Sequence, residues 1–182
     1  MARAAAPLPG LLGDRAPDVI LVTLGTHEQP MRRLVPVLAA IASSRPELGP
    51  FEMQHGATPL PDGWSGQALI GPLALTQLMA RADIVIMHGG PATIGETRAA
   101  GKVPIVVPRR HRFDEHVDDH QYDYALRLAA AREILLVEDE RQLPLFIDRY
   151  PELVAALPPA TAHDAGSAVA SLAAIADRML DR

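Results

Sequence analysis

The chain of 182 residues contains no cysteine. Disulfides, thiolate metal sites and cysteine nucleophiles are excluded, and the composition fits a reducing, cytoplasmic compartment. Basic residues do not predominate: 17 Lys and Arg stand against 22 Asp and Glu, a net charge of -5. Aromatics are few, with one Trp, three Tyr and three Phe, and they are not interleaved with basic residues. With neither feature present, no nucleic-acid partner is expected. No apolar run approaches the roughly 18 residues of a membrane-spanning helix. The start of the chain, residues 1–17, lacks the apolar centre of a signal peptide and is expected to be a flexible extension. Three chemical signatures are also missing. No G-x-G-x-x-G follows the first apolar run, no G-x-x-x-x-G-K-[ST] occurs, and there is no G-x-S-x-G. These absences count against a nicotinamide dinucleotide site, a nucleotide-hydrolysing P-loop and an α/β-hydrolase.

What is present is a globular core. Apolar residues make up 48% of the chain, enough for one domain of this length to bury a substantial interior. The stretch Ala82–Pro108 organises the rest. Ile84–Met87 is a short apolar, β-branched run and reads as a buried strand. His88-Gly89-Gly90-Pro91 turns the chain and sets Pro at a first helical position. A helix runs to about Ala100, Gly101 stops it, and Pro104–Pro108 reads as the next strand. That is one right-handed βαβ unit with parallel strands.

Around it, strands are expected at Asp18–Leu24, Phe51–His55, Gln67–Ile70 and Glu133–Val137. Helices are expected after Pro30 to about Ser44, over Leu73–Arg81, Val117–Ala131 and Arg141–Tyr150, and from Asp164 to about Leu180. Pro36 requires the first helix either to begin late or to kink. Pro151–Ala162 reads as a linker. The alternation implies an α/β fold, a single Rossmann-like, doubly wound parallel sheet over residues 18–157, with a last helix in 158–182 packing on the domain or on a partner.

In such sheets ligands bind beyond the carboxyl ends of the strands. The segments there are Gly25-Thr26-His27-Glu28, Gln54-His55-Gly56, His88-Gly89-Gly90 and Arg109 to Gln121, and they hold six of the seven histidines. The turn at Gly89 and Gly90, opening onto a helix, can offer amides and a helix dipole to a phosphate, and Glu96 two turns on can accept ribose hydroxyls. The same residues also satisfy a tight strand-to-helix turn. Asp114–Gln121 has three readings: metal ligands, with His116 and His120 four apart on a helix; partners for sugar hydroxyls; or an acidic helix N-terminus.

The motifs VTLGTHEQPMRRLV, HGGPATIGE, GKVPIVVPRR and FDEHVDDHQ resemble, over roughly Asp18 to Val137, the C-terminal, donor-binding half of GT-B glycosyltransferases of family 28. They are similar to short bacterial exopolysaccharide glycosyltransferase subunits and to the catalytic subunit of the dolichol-pathway UDP-GlcNAc transferase. The resemblance implies that His88, Gly89, Gly90 and Thr93 hold the diphosphate of a UDP-sugar and that Glu96 holds the ribose. It implies that Asp119, His120 and Gln121 contact the donor sugar, that Gly25, Thr26 and His27 line the cleft, and that Arg109 reaches the phosphates or a partner surface. His27 is the in-chain candidate for catalytic base or orienting group.

The resemblance further implies inverting transfer without a metal or other cofactor, to a lipid-linked sugar acceptor. A membrane-anchored, acceptor-binding subunit is the expected partner, holding the chain at the cytoplasmic face of the membrane. Two alternatives stand beside it: a non-catalytic accessory subunit, and a metal-dependent hydrolase using His116, Asp118 and His120. The extension before Asp18 and the position of Pro36 depart from the family pattern.

Overall fold

The computed structural model describes residues 17–48 and 51–158. The expected final helix lies outside the described residues, as does nearly all of the N-terminal extension. The described chain forms one open sheet of five parallel strands in the order 2-1-3-4-5. They are β1 (Ile20–Thr23), β2 (Phe51–Gln54), β3 (Ile84–Met87), β4 (Ile105–Val106) and β5 (Leu135–Leu136). β1 lies in register between β2 and β3, with Thr23 opposite both Gln54 and Met87.

Among the described residues six α-helices cover the sheet: α1 (Leu34–Ser44), α2 (Pro72–Arg81), α3 (Pro91–Ala99), α4 (His120–Ala130), α5 (Leu143–Asp148) and α6 (Tyr150–Ala155). Successive strand side chains point to opposite faces, so each strand feeds two cores. Ile20, Val22, Ile84 and Ile86 meet Leu34, Leu38 and Ile41 of α1, Leu143 and Ile147 of α5, and Tyr150. Leu21, Val85, Met87 and Val106 meet Leu75 and Met79 of α2, Ile94 of α3 and Ala125 of α4. Burial on both faces explains why β1 and β3 are uninterrupted apolar runs.

The expected βαβ unit stands within one or two residues of its expected bounds. Pro91 opens α3 and Gly101, at φ 77°, follows its end. Three expectations are corrected, and of the two readings of Pro36 the late helix start is the one found. Gln67–Ile70 is not a strand; only Gln67 bridges Gln54, and Ile70 is tied down by its amide donating to Gln54 Oε1 at 2.9 Å. α1 begins late, so Pro36 falls in its first turn, where its missing N–H is not needed. α4 begins at His120 rather than Val117, whose side chain is 67% exposed. Pro151 does not begin a linker. It sits in the first turn of α6, a position proline tolerates.

Candidate functional site at the carboxyl edge of the sheet

The chain runs outward from β1 to β2 on one side and from β3 to β5 on the other. The direction reverses between β1 and β3, the switch point at which an open sheet of this kind sets its ligand crevice. The loops on either side are Leu24–Pro30 and His88–Gly90. His88 joins them. Its Nδ1 lies 3.2 Å from the Thr23 carbonyl oxygen, and its ring is walled by two glycines. A Cβ on Gly25 or on Gly90 would stand 2.7 Å from His88 Nε2. Gly25 also has φ 77°, a conformation costly for other residues. Gly56, at φ 57°, packs against the Gly25 carbonyl so closely that a side chain has no room.

Only 8% of His88 is exposed, and burial, followed by the nearby Arg109 charge, holds its pKa down to about 4. The ring is neutral at pH 7. It donates from Nδ1 to Thr23 and keeps a lone pair on Nε2. In the unfolded chain the same group takes up its proton near pH 6.5. The unfolded state therefore carries more protons between pH 6.5 and 4, and stability falls as pH falls through that window. His88 alone is expected to remove about 2–3 kcal/mol at pH 4.5. Urea unfolding at pH 7 and pH 4.5 measures it: the loss should be visibly smaller in His88→Asn, and equal losses in both proteins would refute it.

α3 begins directly after this histidine. Gly90 caps it without a side-chain bond, and the first satisfied amide is that of Ile94, donating to Gly90 at 3.0 Å. The amides ahead of it and the positive end of the helix dipole are open to an anion. Thr93 is half-buried in this first turn, and Glu96 is exposed one turn on. Gly89, at φ 96°, turns the strand into the helix against Pro108.

The loop from Arg109 to Asp119 closes the other side. The structure gives Arg109 a place other than the expected one. It is fully buried and does not reach the crevice surface. Its guanidinium donates to the carbonyls of Leu24 at 2.6 Å, Glu115 at 2.7 Å and Gln29. It is a tie between the β1 and β4 loops. Behind it, Arg33 bonds Glu115 at 3.2 Å, Glu140 at 2.6 Å and the Pro108 carbonyl at 2.8 Å. Burial pushes the Glu115 carboxyl up, against the opposing pull of Arg33. Sequence reasoning missed Arg33 and Glu115. Their partners lie 75 to 107 residues away in sequence, and no local pattern marks such a pairing.

At the start of α4, Asp119 accepts from the His111 amide at 2.9 Å, and His120 is exposed. Gln121 is 8% exposed, and its Oε1 has no hydrogen-bond partner among the described residues. An orphaned acceptor in the first turn of a helix is what a hydroxyl-bearing ligand would satisfy. The two sides of the crevice meet through rings: His27 lies 4.7 Å from His116, and His116 lies 4.6 Å from His120. His27 Nδ1 accepts from the Gln29 amide at 3.3 Å, so its other nitrogen is the one left for outside partners. The expectation that His116 and His120 share a helix is corrected, since His116 precedes α4 and reaches His120 through the turn. Thr26 is exposed at the rim.

The profile of the glycosyltransferase family 28 C-terminal domain matches residues 73–145, which span α2 through the start of α5. The chain is 28% identical to the UDP-N-acetylglucosamine–N-acetylmuramyl-(pentapeptide) pyrophosphoryl-undecaprenol N-acetylglucosamine transferase of Xylella fastidiosa (strain M12). That alignment covers 78% of this chain and 41% of the transferase, so the chain spans well under half of the relative's length. Among solved structures, the glycotransferase of kitacinnamycin superposes with a TM-score of 0.51 at 18% identity, covering 85% of this chain and 43% of that one. The likeness is one of fold: a single open parallel sheet, as in half of a GT-B enzyme. Over residues 73–145, set within that sheet, the chain is similar to the glycosyltransferase family 28 C-terminal domain.

Proposed function

We propose that this chain is the donor-binding, catalytic part of an inverting, metal-independent glycosyltransferase that moves a sugar from a UDP-sugar to a lipid-linked acceptor. The observation that carries the reading is the uncapped N-terminus of α3, opened by His88-Gly89-Gly90 at the β1/β3 switch point. A diphosphate set there meets the free amides and the helix dipole. Glu96, one turn along, accepts the ribose hydroxyls. Gln121 Oε1, with Asp119 and His120 beside it, receives hydroxyls of the donor sugar. Gly25, Thr26 and His27 line the near wall.

In the reaction an acceptor hydroxyl attacks the anomeric carbon and UDP leaves from the opposite side, inverting the centre. Charge grows on the β-phosphate as the bond breaks. The α3 amides face that charge already oriented, which supplies the stabilisation a divalent cation gives in other transferases. His27 is held by Gln29 on one nitrogen and leaves the other to orient or deprotonate the acceptor. A membrane-anchored subunit would supply the acceptor site. Among the described residues no helix is long and apolar enough to cross a membrane.

Calorimetric titration with UDP, in EDTA, tests the reading. Binding is expected to persist in the chelator and to weaken by about 1–3 kcal/mol in Glu96→Ala, the cost of leaving ribose hydroxyls unpaired. Unchanged UDP affinity in that variant would refute the ribose role. UDP binding without transfer, when the acceptor-side partner is supplied, would identify an accessory subunit instead.

A further inference from the structure

The ring stack at the crevice rim holds a cluster of which the transferase reading uses only His120. Nδ1 of His116 lies 3.3 Å from Asp118 Oδ1, and His120 Nδ1 contacts the same oxygen. The three potential ligand atoms lie within 4.8 Å of one another. A tetrahedral zinc with bonds of about 2.0–2.1 Å separates its ligand atoms by about 3.3–3.4 Å. The His116–Asp118 spacing already has this value, and small side-chain rotations would bring the third atom to it. The Asp118 amide lies 3.5 Å from His116 Nδ1, at the long limit of a hydrogen bond, so a cation could displace it.

The cluster is also held in place. His116 is nearly buried, and its ring is braced by His27. Its main-chain carbonyl oxygen accepts from His111 Nδ1 at 3.1 Å. Asp118 also accepts from the His120 amide at 3.1 Å. The geometry points to a binding site for an imidazole-preferring divalent cation of the zinc class, formed by His116, Asp118 and His120. Two imidazoles and one carboxylate select zinc or nickel over magnesium, which prefers an all-oxygen shell. The ion would tie the loop before α4 to the first turn of that helix, and no step of the proposed transfer needs it.

The test is zinc titration of the EDTA-treated, dialysed chain in competition with a chromophoric chelator, with thermal unfolding in parallel. One zinc per chain is expected, with no magnesium uptake and a raised Tm, because the ion binds the folded state. His120→Asn and Asp118→Asn should each lower zinc affinity at least tenfold and abolish the Tm rise. His55→Asn, outside the cluster, should change neither. His120 and Asp118 are exposed, so these variants are expected to fold, which far-UV circular dichroism checks. Absence of saturable zinc uptake would overturn the proposal. So would uptake that His120→Asn and Asp118→Asn leave unchanged.

Discussion

Arg109→Met should destabilise the chain by about 3 kcal/mol, one of the largest losses from any single substitution here. The methionine fills most of the volume but donates nothing. The carbonyls of Leu24, Gln29 and Glu115 would lose their donor inside a fully buried pocket. Each unsatisfied buried carbonyl costs about 1–3 kcal/mol. The sum is offset in part because the variant no longer buries a cation. Urea unfolding, read as a shift in midpoint at constant slope, measures the difference. Arg112 supplies the contrast. It is exposed, with its guanidinium over the face of Phe113, so Arg112→Ala should move stability by no more than about 0.5 kcal/mol. Equal effects from the two substitutions would show that Arg109 is not the tie described. The loss should also reach function, since Arg109 joins the two loops that wall the crevice.

Gly25→Ala is the second. Its Cβ would stand 2.7 Å from His88 Nε2 and 2.9 Å from Cε1. The ring is held in place by the Nδ1 bond to Thr23 within a nearly fully buried site, so it has little room to retreat. The left-handed backbone adds about 1 kcal/mol of strain and the overpacking about 1–3 kcal/mol. A total loss of about 2–4 kcal/mol is expected. UDP affinity should fall at least tenfold, because His88 leads directly into the α3 amides. Gly95→Ala should do the reverse. Gly95 lies in α3 with open space around its Cα, so alanine should stabilise by about 0.5–1 kcal/mol through helix propensity and leave the crevice intact. A Gly25→Ala protein with native stability and undiminished UDP binding would refute the packing argument.

The contrast between Gly25 and Gly95 also shows how far one dimension of information reaches. Both are glycines beside apolar runs, and nothing local says that one is walled by a histidine from another strand while the other faces solvent. The unit from Ile84 to Val106 was legible because its signals are local. An unbroken β-branched run, a glycine turn, a proline at the helix start and a glycine at its end act within a few residues of one another. The doubly wound sheet followed from the repetition of that alternation, and the gathering of histidines followed from knowing which ends of parallel strands face a ligand.

Other features depended on contacts between distant segments. Gln67–Ile70 has strand-like composition, yet Ile70 is fixed by the side chain of Gln54 instead of by a ladder. Pro151 looks like a breaker, but a helix ending at Asp148 hands the chain to α6 with the proline in a tolerated position. Arg109 reads as a surface cation at a strand end. It turns inward because three carbonyls, up to 85 residues away in sequence, converge on its guanidinium. Local pattern by itself determined the five strands that pair in the sheet, the glycine turn and the start of α3, since these rest on backbone geometry and hydrophobic period. Only the tertiary structure decided which polar side chains face the crevice, because that depends on which buried groups need a partner.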